Sequence, residues 1–405
     1  MDKRLAELRQ LRIALVHYWL LRMRGGEKVV EALCELFPTA DLYTLFFEPD
    51  HISKTIRRHR IHTSFLQKIP GARRHHRMFL PFFPLAIEQF DLTSYDLVIS
   101  SESGIAKGII VPPQTCHVCY CHSPMRYLWN MYHFYRDYRQ SRWRRGLFAV
   151  LSHYVRLWDF ASAARVDHFV ANSRNVAARI EKYYRRPATV IPPPVDTEDL
   201  AISETVEDFY LVVSELVAYK RIDIAIEAFN ELGKPLIVIG DGPERTHLQR
   251  RARSHIRFLG SQPRSVLVRS YARTQALIVP GEEDAGIVAL EAQASGRPVI
   301  AYGRGGLLET VIPGKTGLFF YEQSKEAVIE AVQEYERQRN QFQPRQIRAH
   351  ALRFDREIFK KRMITFLWEI VTRQRENQAA IGIARSSATC ASAELPPGNR
   401  SPWSM

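Results

Sequence analysis

The sequence lacks any apolar run near the roughly 20 residues that would cross a bilayer; its longer stretches, such as 79–87, reach less than half of that. A membrane-spanning enzyme is therefore excluded. Residues 13–21 have the apolarity of a signal-peptide core, but His17 interrupts the run and no small-residue cleavage site follows, so a cytosolic protein is expected. Cysteine is scarce as well. The five present are an odd number and offer no disulfide framework. Three crowd together as Cys116, Cys119 and Cys121, beside His117 and His122. The segment reads as a strand, whose alternation sends Cys116 and His122 to one face and His117, Cys119 and Cys121 to the other. One ion does not collect four ligands from both faces, so no metal is expected.

Acid is missing from a third place. Residues 51–80 hold eight Lys/Arg, five histidines and no carboxylate, and an aromatic stretch follows at 79–85. A second basic cluster comprises Arg136, Arg139, Arg142, Arg144 and Arg145, with Trp143 inside it. These clusters make up much of a formal charge of +14. Basic residues beside aromatics suit anionic lipid head groups or nucleic-acid phosphates, and a plain solvated surface is the alternative. No nucleic-acid recognition module accompanies them. The favoured partner is an anionic membrane surface, with the chain peripheral on the inner face of the cytoplasmic membrane, and nucleic acid is not expected.

What is present is 46% hydrophobic and 25% charged, ordinary for a globular protein and too long at 405 residues for one core. Two halves each begin with an apolar strand running through a turn into an amphipathic helix. In the first, 13–16 leads through Gly25, Gly26 and Glu27 into a helix with Val29, Val30, Leu33 and Leu36 at helical spacing; 96–100, 117–120 and 166–171 read as further buried strands. Three successive prolines, Pro192 to Pro194, forbid helix and central strand and mark a stiff link. The second half restarts at 209–213, with strands at 236–239, 276–279 and 299–301 that each run into a glycine-bearing turn or loop. This predicts an α/β protein with two doubly wound, Rossmann-like domains around a central cleft. The expected divisions are 1–192, 193–350, a helix at 351–374 that packs back across the domains, and a disordered tail at 375–405.

The strongest chemical signal lies in 281–300. A strand ends at Val279, an acidic loop follows, and a helix begins near Gly286. A helix N-terminus offers unpaired N–H groups and partial positive charge, a seat for phosphate. Glu283 stands at the lip of that seat, where a carboxylate accepts from sugar hydroxyls, and Glu291 stands within reach of a ribose diol. A dinucleotide enzyme would need three glycines in its turn. The stretch Gly240-Asp241-Gly242-Pro243 supplies two.

The spacing Glu283-x7-Glu291, followed by Ser295 to Val299 and Gly305 to Glu309, resembles the family 4 retaining glycosyltransferases of the GT-B fold. The resemblance covers roughly 11–372 and includes Gly25-Gly26-Glu27, Cys121-His122-Ser123-Pro124-Met125-Arg126-Tyr127, Ala171-Asn172-Ser173 and Tyr219-Lys220-Arg221-Ile222-Asp223. It implies a nucleotide-sugar donor, GDP- or UDP-linked, with no other cofactor, and a lipid-linked or oligosaccharide acceptor, as in mannosyltransferases of O-antigen and exopolysaccharide assembly. By the same resemblance, Glu283 would bind donor-sugar hydroxyls and Glu291 the ribose. The backbone of Gly286, Ile287 and Val288 would meet the sugar and diphosphate, and Lys220 would neutralise the leaving group. Gly25 and Gly26 would face the phosphates, and His122 would project toward the reacting carbon or serve as a structural histidine. A front-face reaction, with the leaving phosphate helping to deprotonate the acceptor, is implied because no nucleophilic carboxylate is identified. One departure stands out. Where many relatives carry, five residues before the lysine, an arginine that pairs with the diphosphate, this chain has Glu215. Either Glu215 turns away and Arg221 or another base compensates at the donor, or the donor sits differently, or the chain is a weakly active or non-catalytic binding protein.

Overall fold

The structure, a computed structural model, describes residues 3–138 and 141–391. Arg139 of the second basic cluster and residues 392–405 of the expected tail lie outside them. The first half forms a seven-stranded sheet from β1 (Ile13–His17), β2 (Asp41–Thr44), β3 (Ile61–Thr63), β4 (Leu97–Glu102), β5 (Cys116–Cys121), β6 (His168–Ala171) and β7 (Ala188–Val190), in the order β3-β2-β1-β4-β5-β6-β7. Every pairing is parallel. The central strands β1, β4 and β5 are buried at every residue. This is why they read as continuous apolar runs rather than as alternation. The helices used below from this half are α1 (Gly25–Leu36), α2 (Arg142–Ser162) and α3 (Arg174–Tyr184).

The second half repeats the plan with β8 (Tyr210–Val213), β9 (Leu236–Ile239), β10 (Ile256–Gly260), β11 (Leu277–Val279), β12 (Val299–Tyr302) and β13 (Gly317–Phe320), ordered β10-β9-β8-β11-β12-β13 and again parallel. Its helices include α4 (Ile222–Leu232) and α5 (Ile287–Ala294). Strand order reverses between β1 and β4 in one sheet and between β8 and β11 in the other. In open parallel sheets the crevice beyond the carboxyl ends at such a reversal is where ligands sit. The loops after β1, β8 and β11, which carry Gly25-Gly26, Lys220 and Glu283, leave from these two reversals.

After Pro192 to Pro194 the extended link bonds to the chain's return. Val195 N–H donates to Phe354 O at 3.1 Å, and Arg356 N–H donates to Val195 O at 3.1 Å. Helix α6 (Arg356–Ala391) then buries Phe359, Met363, Ile364 and Leu367 in the core of the first half, beside Leu8, Val29 and Leu33. The start of the expected tail is corrected: 375–391 continue this helix. The stretch is rich in alanine and free of proline until Pro396, a composition compatible with helix.

Candidate active site

A cleft of about 1230 Å³ opens between the two sheets, lined from the first half by Gly25, Gly26 and His122 and from the second by Lys220, Glu283, Gly286, Ile287, Val288 and Glu291. It brings together all of the sequence-predicted site residues except Arg221. Gly286 precedes α5 at φ +68°, a left-handed turn that glycine adopts at no steric cost and that aims the first N–H groups of α5 into the cleft. Across the cleft α1 begins at Gly25. A methyl group there would lie 2.8 Å from Ile287 Cδ1, the far end of a flexible side chain, so the start of α1 stands directly against the start of α5. Arg24 N–H donates to Glu27 Oε2 at 3.0 Å and ties off the first turn of α1.

Lys220 ends a short 3-10 turn, and its Nζ lies 2.5 Å from Glu283 Oε2, with both side chains mostly buried. Burial alone would lower the ammonium pKa. The Glu283 carboxylate outweighs it and raises the value, so Lys220 stays charged. Arg221 follows at φ +53°, an uncommon conformation for a residue with a side chain. The turn carries its guanidinium onto Asp223, at 3.1 Å, instead of into the cleft. In this arrangement Arg221 stands outside the cleft lining. The base that meets Glu215 is Arg24, whose Nη1 reaches Glu215 Oε2 across the cleft at 3.3 Å.

Glu291 is already held. Tyr271 Oη donates to Oε2 at 2.9 Å, and Arg264 Nη1 donates to Oε1 at 2.5 Å while its Nε and Nη2 bind Asp199 at 2.8 Å. The carboxylate is fixed in direction before any ribose arrives. His122 follows β5; its N–H donates to Glu102 O at 2.7 Å, and Nε2 pairs with Ser101 Oγ at 2.8 Å. Burial, reinforced by neighbouring His17, lowers its pKa to about 3, so the imidazole is neutral at physiological pH. It can orient or donate a hydrogen bond but carries no charge.

Two arginines that the sequence reading gave no role join the halves. Arg179 on α3 lies 2.5 Å from Asp284 Oδ1 and also pairs with Glu282. Arg126 lies 3.4 Å from Asp284 and 3.7 Å from Glu282. Ser173 Oγ donates to Asp284 O at 2.6 Å, and Glu309 accepts from the N–H groups of Arg174 and Asn175 at 2.8 and 2.9 Å. The acidic loop thus divides its work: the flanking carboxylates grip the first half and Glu283 faces Lys220. Arg126 stood in a quoted motif. Arg179 left no local signal.

Among the described residues no group of three or more His, Cys, Asp or Glu could hold a metal ion, and Cys116, Cys119 and Cys121 are buried free thiols. No described helix is long and apolar enough to cross a membrane.

The chain is similar to known proteins. The family model described as Glycosyltransferase Family 4 matches residues 23–199, and the one described as Glycosyl transferases group 1 matches 198–351. An uncharacterized glycosyltransferase of Methanocaldococcus jannaschii is 29% identical over 175 residues, covering 41% of this chain and 50% of that protein. The GDP-mannose-dependent alpha-(1-6)-phosphatidylinositol monomannoside mannosyltransferase of Mycolicibacterium smegmatis is 30% identical over 216 residues, covering 43% and 56%. The chain thus spans about half the length of these curated relatives. Among solved structures, Anabaena HepE in complex with UDP and glucose superposes with a TM-score of 0.65 at 16% identity, covering 88% of this chain and 99% of that one, a likeness of fold.

Proposed function

Because the chain belongs to the family 4 (group 1) glycosyltransferases and has their GT-B fold, we propose that it moves a hexose, with retention, from a nucleotide-sugar to a glycan or lipid-linked saccharide of the cell surface. The observation that carries this reading is the Lys220–Glu283 pair, set beside the N-terminus of α5 and opposite Gly25-Gly26 in one cleft. Breaking the anomeric C–O bond puts positive charge on the sugar and negative charge on the departing diphosphate. Lys220 and the α5 N-terminus stabilise the second in a site already organised for it. Donor binding divides the pair: the diphosphate takes Lys220, and Glu283 turns to sugar hydroxyls. Glu291, aimed by Tyr271 and Arg264, receives the ribose diol.

With donor bound, the carboxylates nearest the seat are engaged, Glu283 by sugar hydroxyls, Glu291 by Arg264 and Tyr271, Asp284 by Arg179 and Glu215 by Arg24. That supports a front-face reaction in which a leaving phosphate oxygen takes the acceptor's proton as the new glycosidic bond forms. Neutral His122 then positions the sugar by hydrogen bonding. The Arg24 partner of Glu215 removes the main ground for a non-catalytic binding protein. GDP-mannose is the first donor to examine and a UDP-hexose the second, in keeping with the mannosyltransferase relative and with the UDP and glucose held by the Anabaena protein.

The test is release of nucleotide from a panel of GDP- and UDP-sugars, with and without a membrane lipid extract as acceptor. One donor is expected to give nucleotide release that the extract increases, with the sugar recovered in the lipid fraction. Release from none of them, with or without acceptor, contradicts sugar transfer.

A further inference from the structure

Helix α2 has a face that no core covers. Its buried residues are Ser152, Val155, Asp159 and Ser162. Trp143, Leu147, Val150, Tyr154 and Leu157 recur at steps of four and three, which places them in one stripe about 80° wide on the opposite side. They are 66%, 49%, 55%, 66% and 56% exposed. Scattered exposed apolar side chains need no explanation, but five aligned on one helix mark an interaction surface.

The charges on this helix have one sign on its exposed side. Arg142, Arg144, Arg145 and Arg156 are its cations, and its one acid, Asp159, is fully buried and accepts from Trp129 Nε1 at 2.7 Å and Tyr184 Oη at 3.0 Å. A second segment adds to the surface. Val155 and Trp158 of α2 share one hydrophobic cluster with Phe83, Ala86 and Ile87, and Trp158 Nε1 donates to Glu88 at 2.8 Å. In that neighbouring segment Phe82 and Leu85 stand 54% and 52% exposed, just after the acid-free stretch 51–80.

We propose that this face docks on an anionic lipid surface, with α2 lying in the plane of the head groups. The apolar stripe enters the acyl boundary, and the arginines keep their guanidinium groups on lipid phosphates. Steps of four and three would also suit a helix of a second copy. A second copy, however, would bring a surface of the same sign to this one, since α2 exposes Arg142, Arg144 and Arg145 at its start and no acid to offset the repulsion, while Arg156 is turned away to Leu128 O at 2.7 Å. Charge complementarity selects the lipid. The inference stands independently of the sugar-transfer reading.

The full chain is sedimented with vesicles of phosphatidylcholine alone and of phosphatidylcholine mixed with phosphatidylglycerol. Wild type is expected to bind the anionic vesicles at least about tenfold better than the neutral ones, with binding weakening as salt rises. Val150→Glu combined with Leu157→Glu is expected to abolish binding while thermal melting and vesicle-free nucleotide-sugar hydrolysis stay at the wild-type level. Replacing Arg142, Arg144 and Arg145 by Gln is expected to remove the preference for anionic lipid. Wild type that fails to sediment with anionic vesicles overturns the proposal, as does a stripe variant that binds like wild type. A wild-type dimer that the stripe variant converts to monomer also overturns it and identifies a second copy as the occupant. Vesicle binding with no nucleotide release from any donor, with or without the lipid-extract acceptor, keeps the docking face and removes the transfer reading.

Discussion

The two lips of the cleft are built from different materials. The second half supplies charge, in the Lys220–Glu283 pair and the Arg264–Glu291 pair, together with the N-terminus of α5. The first half supplies Gly25, Gly26 and the imidazole of His122, which burial keeps neutral, with Arg22, Arg24 and Lys28 also on its wall. The lips share a plan, since each sits at the strand-order reversal of a parallel sheet, yet they are suited to different tasks. A charged lip stabilises a leaving diphosphate. Glycines and a neutral imidazole admit the reacting carbon and an acceptor hydroxyl without competing for the phosphates.

The neutrality of the His122 imidazole has a consequence measurable in stability. His122 and the fully buried His117 have pKa values lowered to about 3 and about 4, in both cases chiefly by burial. The unfolded chain takes up protons near pH 6.5 that the folded chain refuses, so the contribution of these residues is complete above that pH and is lost as pH falls toward 4 and then 3. Denaturant titrations at pH 8 and pH 5.5 are expected to show a loss of about 1 kcal/mol for each histidine. In His122→Asn the difference between the two pH values should shrink. An unchanged difference would mean that His122 is charged in the folded protein, and the contrast between the lips would fail.

Another prediction tests the ion pair that spans the cleft beside the diphosphate seat. Arg24→Ala uncovers Glu215 beside the diphosphate seat and is expected to raise the donor KM by about tenfold, the repulsion expected of one close carboxylate. Glu215→Gln alone should change KM by less than about threefold, and the double variant should return to that level, because neither charge then remains to be balanced. Additive losses in the double variant would show that Arg24 and Glu215 act separately.

Much of this was legible in the sequence, for identifiable reasons. The strands β1, β4, β5, β8, β9, β11 and β12 are apolar because their neighbours bury them, so they announce themselves. The edge strands β3 and β7 are three residues long and partly exposed, and their composition does not separate them from loop. Gly286, Glu283, Glu291 and Lys220 were readable because each lies at fixed spacing within one strand-loop-helix unit. Arg24, Arg179, Arg264 and Tyr271 were not, because their partners lie 191, 105, 27 and 20 residues away and only the folded chain brings them together. Arg221 neighbours Lys220 in sequence, but its left-handed backbone turns it to Asp223.

The division of labour between the lips is tested most directly by calorimetric titration of the nucleoside diphosphate of the active donor into wild type, Lys220→Ala and His122→Ala. The account predicts that Lys220→Ala weakens binding by tenfold or more, in line with about 1.5–3 kcal/mol for a charge-assisted contact, while His122→Ala leaves it within about twofold. Equal losses in the two variants, or undiminished binding in Lys220→Ala, would contradict it.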